Sequence, residues 1–229
     1  MKLLLRLLSY VLISAGALVL VWVVIVWQWQ DPFTAIYTHI EQSHLSSEYK
    51  REVVKEQEQA HPVKRARSVA KLRVDLRREA LAYEKTLQVG HALGRITIGR
   101  IGLKMVVVQG TDESSLMKGP GHYDTSGVPG AGSLIYIAGH RTTYLAPFSE
   151  INAIKIGDYV TLEVPYGTFT YRVIRHYVVP ATDLALLVDH HHEILRLQAC
   201  HPRFFATHRY IVDAVPVAVT LPGGTTYNL

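Results

Sequence analysis

Between Arg6 and Asp31 the chain carries no charged residue, and the apolar run from Leu7 to Trp27 is unbroken enough to cross a bilayer, which takes roughly 20 residues. A cleaved leader has a shorter apolar core, about 7–15 residues, ending at a small-residue site. Ser14-Ala15-Gly16-Ala17 supplies small residues, yet the apolar run continues through Val26. An uncleaved anchor over residues 1–30 is therefore expected. Lys2 and Arg6 flank its N-terminal end, so the N-terminus is expected in the cytoplasm and everything after Asp31 outside the cell membrane. Trp22, Trp27 and Trp29 cluster towards the outer end, where indoles favour the interface.

Residues 31–90 read as a charged helical stalk or linker. Ile36 and Ile40 lie one turn apart, and Glu52, Lys55, Glu56 and Glu58 form a solvated face. Pro62 ends or kinks this helix. A second helix carries Val69, Leu72, Leu76, Ala80, Tyr83 and Leu87 at helical spacing. That stripe suits packing on the following domain or on a second copy. At about 1.5 Å per residue, such helices are long enough to hold a domain away from a membrane. The net charge of +5 is partly concentrated here, in Lys64, Arg65, Arg67, Lys71, Arg73, Arg77 and Arg78. It suits an anionic surface or plain solvation. Nucleic acid is not an expected partner, because the aromatic interleaving of single-strand binders is missing.

Residues 91–229 read as β. Strands are expected at Arg95–Ile98, Lys104–Val108, Leu134–Ala138, Tyr159–Val164, Thr168–His176, Ile194–Ala199 and Tyr210–Val219. Pro165-Tyr166-Gly167 marks a hairpin turn. The helical pieces are short: Asp112 to Lys118 with Thr111 as N-cap, and a turn after Thr182. The fold class is all-β, a small closed barrel or sandwich with short helices.

The only cysteine, Cys200, sits in the stretch LRLQACHPRFFATHR, residues 195–209. A lone cysteine is commonly a buried small hydrophobe. Here its flanks are polar or cationic (Gln198, His201, Arg203), and Pro202 stops the strand just beyond it. An unpaired thiol outside the cytoplasm also invites oxidation and needs a reason to persist. A nucleophilic thiol needs a base or cation beside it. His140 follows the apolar strand Leu134–Ala138 and Gly139, so it too ends a strand. If strand ends gather at one barrel mouth, His140 and Cys200 meet there. His122 and His201 are weaker candidates, His201 because alternation turns it to the other face. Arg209 offers fixed donors to a developing oxyanion. His190-His191-His192 reads as a solvated loop, and no metal or cofactor is expected.

With these residues in view, the chain resembles the sortases, membrane-anchored cysteine transpeptidases of Gram-positive bacteria. The resemblance runs from about Gly94 to Val219 and rests on AGHRTTYLAPF at 138–148, LQACHPRFFATHR at 197–209 and KGPGHY at 118–123. HRTTY together with CHPRF is most similar to the class E subgroup. The resemblance implies an eight-stranded β-barrel, His140 as general acid and base, Cys200 as nucleophile and Arg209 as oxyanion or carbonyl clamp. It places Tyr144, Ala199 and His201 at substrate-binding positions, Tyr144 being tied to LAxTG-like over LPxTG-like sorting signals. Sortases usually carry threonine before the cysteine, where this chain has Ala199. The implied partners are secreted proteins bearing a C-terminal sorting signal and an amine acceptor, from peptidoglycan precursor or a pilin. Asp31-Pro32-Phe33 matches the lid motif of class C enzymes, but it directly follows the anchor and reads as coincidence. Two rivals stay open: a non-catalytic wall-binding scaffold with an inert thiol, and a different cysteine acyl-transfer enzyme such as an L,D-transpeptidase. The order of histidine before cysteine argues against papain-like enzymes.

Overall fold

Valine, isoleucine and aromatic residues alternate with polar ones after Gly90, the pattern of strands buried on one face. In the computed structural model, which describes residues 2–29, 32–59, 68–189 and 191–229, they form nine strands. These are β1 (Ala92–Ile98), β2 (Leu103–Gln109), β3 (Gly121–His122), β4 (Leu134–Gly139), β5 (Tyr159–Val164), β6 (Gly167–Pro180), β7 (Ile194–His201), β8 (His208–Thr220) and β9 (Thr226–Asn228). The sheet order is β6-β5-β1-β2-β3-β4-β7-β8-β9, and β6 also pairs with β8. That pairing closes eight strands into a barrel and leaves β9 as an outrigger on β8. Closure removes the unpaired edges an open sheet would expose.

Two strands were not legible in the sequence. β3 is two residues long, and β9 lies beyond the last apolar run. Both are recruited by neighbours rather than by their own pattern. β3 joins β2 in parallel and β4 antiparallel.

The barrel interior is filled by one side of its longer strands, including Ile96, Val107, Ile135, Ile137, Leu195, Leu197, Ala199, Val212 and Ala214. A second cluster lies on the outer face of β4, β7 and β8: Tyr136, Ala138 and Ile211 with Leu186. Period-two alternation makes both faces of this part of the sheet apolar.

Among the described residues, four α-helices precede or interrupt the barrel: α1 (Lys2–Trp29), α2 (Pro32–Gln59), α3 (Val69–Glu84) and α4 (Glu113–Lys118). Residues 2–24 of α1 are long and apolar enough to span a membrane. The cap of α4 is Asp112, whose carboxylate accepts from the Ser115 amide, and not Thr111.

Of the two fates expected for the apolar stripe of α3, the structure shows packing on the barrel. Leu72, Leu76 and Ala80 of α3 are fully buried in the barrel's own core. Each leucine contributes about 1.5–3 kcal/mol by its burial. α2 buries Thr38, Leu45 and Tyr49. Its Gln42 amide donates to the Val106 and Lys118 carbonyls and accepts from the Val106 amide. No local pattern marks Gln42 for this role, because its partners are backbone groups far along the chain. Pro62, Lys64, Arg65, Arg67, His190 and Asp31 lie outside the described residues, as do the side chains of Pro32 and Phe33.

Candidate active site

Two register relationships assemble the site. Parallel pairing of β4 with β7 sets Gly139 opposite Ala199, so the next residues along, His140 and Cys200, leave the sheet side by side. Antiparallel pairing of β7 with β8 sets Cys200 opposite Arg209. Ala199 faces the core, so Cys200 points the other way, onto the outer face with Gln198 and Ile211. The two registers therefore place the three residues on neighbouring chain segments near one end of the barrel, with Cys200 on the outer face.

Gly139 is needed just before His140. A Cβ there would lie 2.6 Å from the buried Phe148 ring. The Phe148 amide donates to the His140 carbonyl, which turns the chain back under the imidazole. The turn carries three consecutive left-handed residues, Tyr144, Leu145 and Ala146, with φ of 53°, 58° and 37°. Non-glycine residues hold this conformation only where the surroundings enforce it. The enforcement includes the Tyr144 amide, which donates to Thr34 Oγ1 of α2 at 3.1 Å.

The Tyr144 ring lies 5.1 Å from the His140 ring, tilted by 40°. Burial lowers the His140 pKa from its ordinary value, with Glu113 opposing weakly. Its Nε2 is buried and has no hydrogen-bond partner among the described residues. Such an orphan nitrogen needs an account. Cys200 is half-buried and unpaired. Arg209 Nη1 donates to the Ala206 and His208 carbonyls, which fixes the guanidinium plane across the strand from the thiol. The Tyr136 hydroxyl, bonded to Gln198 Oε1 at 2.7 Å, feels both Arg209 and Cys200. Its pKa is pushed up to about 12, mainly by burial.

Arg141 was missed in the sequence. It is 8% exposed. Its Nη1 donates to the Cys200 carbonyl at 3.3 Å and to His201 Nδ1 at 2.9 Å, its Nη2 to Asn152 Oδ1 at 2.6 Å, and its Nε to the Ser149 carbonyl. Standing next to His140, it bolts the histidine turn to the cysteine strand. The only sequence signal was an arginine beside the candidate base, and its partners become visible only in the fold.

Two residues expected at substrate-binding positions, Ala199 and His201, flank Cys200 in β7. Ala199 has no exposed surface and belongs to the barrel core, because alternation turns it away from Cys200. His201 packs against Tyr210 and accepts from Arg141. Burial, Arg141 and His208 all lower its pKa. His122 is a core histidine, bonded to Gln109 Oε1, the Gly127 carbonyl and Ser126 Oγ. Burial depresses its pKa to about 4.

A barrel of eight strands with a cysteine on β7, an arginine opposite it on β8 and a histidine just past the end of β4 defines a class of protein that comparison with known chains names. The Sortase domain family matches residues 96–217, more than half of the chain. The chain belongs to the sortase family. Sortase D of Bacillus subtilis (strain 168) is 33% identical over 129 residues, covering 55% of this chain and 64% of that protein's length. Among solved structures, a Clostridium perfringens Sortase D5 transpeptidase superposes with a TM-score of 0.57 at 21% identity, covering 75% of this chain and 99% of that one. Sortase E from Streptomyces avermitilis gives 0.52 at 27% identity, covering 62% and 93%. Similarity thus extends to classes D and E together.

Proposed function

We propose that this chain is a membrane-anchored cysteine transpeptidase that cleaves the Thr–Gly bond of an LAxTG- or LPxTG-like sorting signal. Cys200 Sγ attacks the threonine carbonyl carbon as thiolate. Arg209 donates to the oxyanion. The tetrahedral intermediate collapses as the C–N bond breaks, and the His140 imidazolium gives its proton to the leaving glycine amine. The resulting thioester is attacked by an amine of a peptidoglycan precursor or a pilin. His140 takes the amine's proton, then returns it to the departing thiolate. Tyr144, whose ring lies tilted beside that of His140, is the residue proposed to favour alanine over proline in the signal.

The observation that carries this reading is the pair of registers, Gly139 to Ala199 and Cys200 to Arg209, on adjoining strands. The 28-residue α1 supports single-span anchoring. Its flanking Lys2 and Arg6 support a cytoplasmic N-terminus and an extracellular barrel.

The test is mass spectrometry of the detergent-solubilised chain with LAxTG and LPxTG peptides and a glycine or diaminopimelate-containing amine. The expected products are a peptide cut after threonine, its amine conjugate, and an acyl adduct on Cys200. Cys200→Ala should abolish all three. Turnover unchanged in Cys200→Ala would sink the assignment, and a thiol that resists iodoacetamide in the folded chain would favour a non-catalytic scaffold.

A further inference from the structure

The barrel has a site end and a far end, and α2 runs between them in a known direction. At the site end β4 and β7 finish, β8 begins, and Pro180 of β6 pairs with His208. At the far end the β5–β6 turn brings Val164 opposite Gly167, and Thr168 pairs with Thr220. Thr34, in the first turn of α2, receives the amide of Tyr144 at the site end. Tyr49, Val53 and Val54, in its second half, line a cleft with Pro165, Gly167 and Pro222 at the far end. A helix of 28 residues is about 42 Å long, enough for that span.

α1 ends at Trp29 and α2 starts at Pro32. Three peptide steps separate their Cα atoms by at most about 11 Å. The apolar helix therefore leaves the barrel at the site end, and the far end cannot be the one that meets a membrane spanned by α1.

The site end is also where large apolar side chains stand in solvent. Phe204 and Phe205, at the tip of the loop between β7 and β8, are 58% and 77% exposed. Ile36 and Ile40, on the outer face of the first turns of α2, are 61% and 50% exposed. Two aromatic rings held out by left-handed Phe204 and Ala206, next to a strand that the substrate must reach, cost solvation unless something covers them. Arg203 stays beside them, bonded to the Ser149 carbonyl and the Glu150 carboxylate.

We propose that this end of the barrel lies on the outer surface of the same bilayer that α1 spans, with Phe204 and Phe205 inserted among the lipid headgroups and Ile36 and Ile40 beside them. The cysteine, histidine and arginine then open onto the membrane surface, which selects donors and acceptors that are themselves held there. The inference rests on α1 being an anchor, as proposed above.

The test uses the full chain in phosphatidylglycerol–phosphatidylcholine vesicles, with Cys200→Ser to make labelling specific and a nitroxide at Phe205→Cys or, as control, at Thr226→Cys on the far end. Collisional relaxation by oxygen and by a water-soluble nickel chelate reports depth. The expected result is a label at 205 that oxygen reaches and nickel does not, with the reverse at 226. A chain that floats with the vesicles while both labels stay open to nickel overturns the proposal and leaves the anchor standing. A label at 205 open to nickel until a sorting-signal peptide is added assigns the two rings to the donor peptide, and overturns it as well. Failure of the chain to float overturns the anchor and the proposal together.

Discussion

The guanidinium of Arg141 donates to the carbonyl oxygen of Cys200, 3.3 Å away, from the position directly after His140. The two strands that deliver the histidine and the cysteine are thus joined beyond their last ladder bond by a buried fork. Four acceptors hold that fork. A geometry kept by several bonds to one planar group tolerates no shorter substitute.

Arg141→Lys should therefore lower kcat while leaving KM within a few-fold, because the lysine keeps a charge and loses the fork. Arg141→Ala leaves Asn152 Oδ1, His201 Nδ1 and two carbonyls short of a donor, and any of them that water does not reach costs about 1–3 kcal/mol. Steady-state kinetics with urea unfolding separates the two effects. Equal kcat in the Lys variant would remove the positioning role.

Arg209 sits across the ladder from Cys200 and already has its Nη1 held by two carbonyls. Arg209→Lys should reduce kcat by roughly 10²–10³, the scale of losing one oxyanion donor. The peptide KM should move little. A loss confined to KM would make Arg209 a binding group only.

Tyr144 shields His140. In Tyr144→Ala the imidazole gains water, and its depressed pKa should rise towards the ordinary value of about 6.5. Proton NMR titration of the ring resonances reads this directly. No change would mean that other groups provide the burial.

His122 makes folding pH-dependent. Its folded pKa of about 4 lies below the unfolded value near 6.5, so the neutral ring is favoured in the fold. The stability it contributes is complete above about pH 6.5 and is lost as pH falls towards 4, about 3 kcal/mol in all. Urea midpoints from pH 7 to 4 should fall accordingly, and His122→Asn should flatten that slope.

Asp213 is fully buried and accepts from Arg196 Nε at 2.7 Å and Nη2 at 2.9 Å, and from Arg175 Nε at 2.8 Å. It ties β6, β7 and β8 together behind the site. Asp213→Ala leaves the buried Arg196 charge unpaired and should destabilise the chain by about 3–5 kcal/mol. A urea midpoint unchanged from the parent chain would show that the network is replaceable.

The chain's local chemistry is enough to specify most of its elements. Alternation marks seven of the nine strands, Pro202 ends β7, and the uncharged run before Asp31 specifies α1, because these depend on neighbours in sequence. Cys200, His140 and Arg209 stood out as candidates for the same reason: each stands at a strand boundary marked by glycine, proline or a loop. Tertiary structure decided what no local pattern encodes. The parallel register of β4 on β7, which brings His140 to Cys200, joins segments more than fifty residues apart. With the alternation along β7, it turned Ala199 into the core and Cys200 onto the outer wall. It also gave Thr34, Gln42 and Arg141 their partners, which are backbone or side-chain groups from distant segments. A polar side chain carries no sequence mark of the distant group that will satisfy it, so such residues look solvated until the chain is folded.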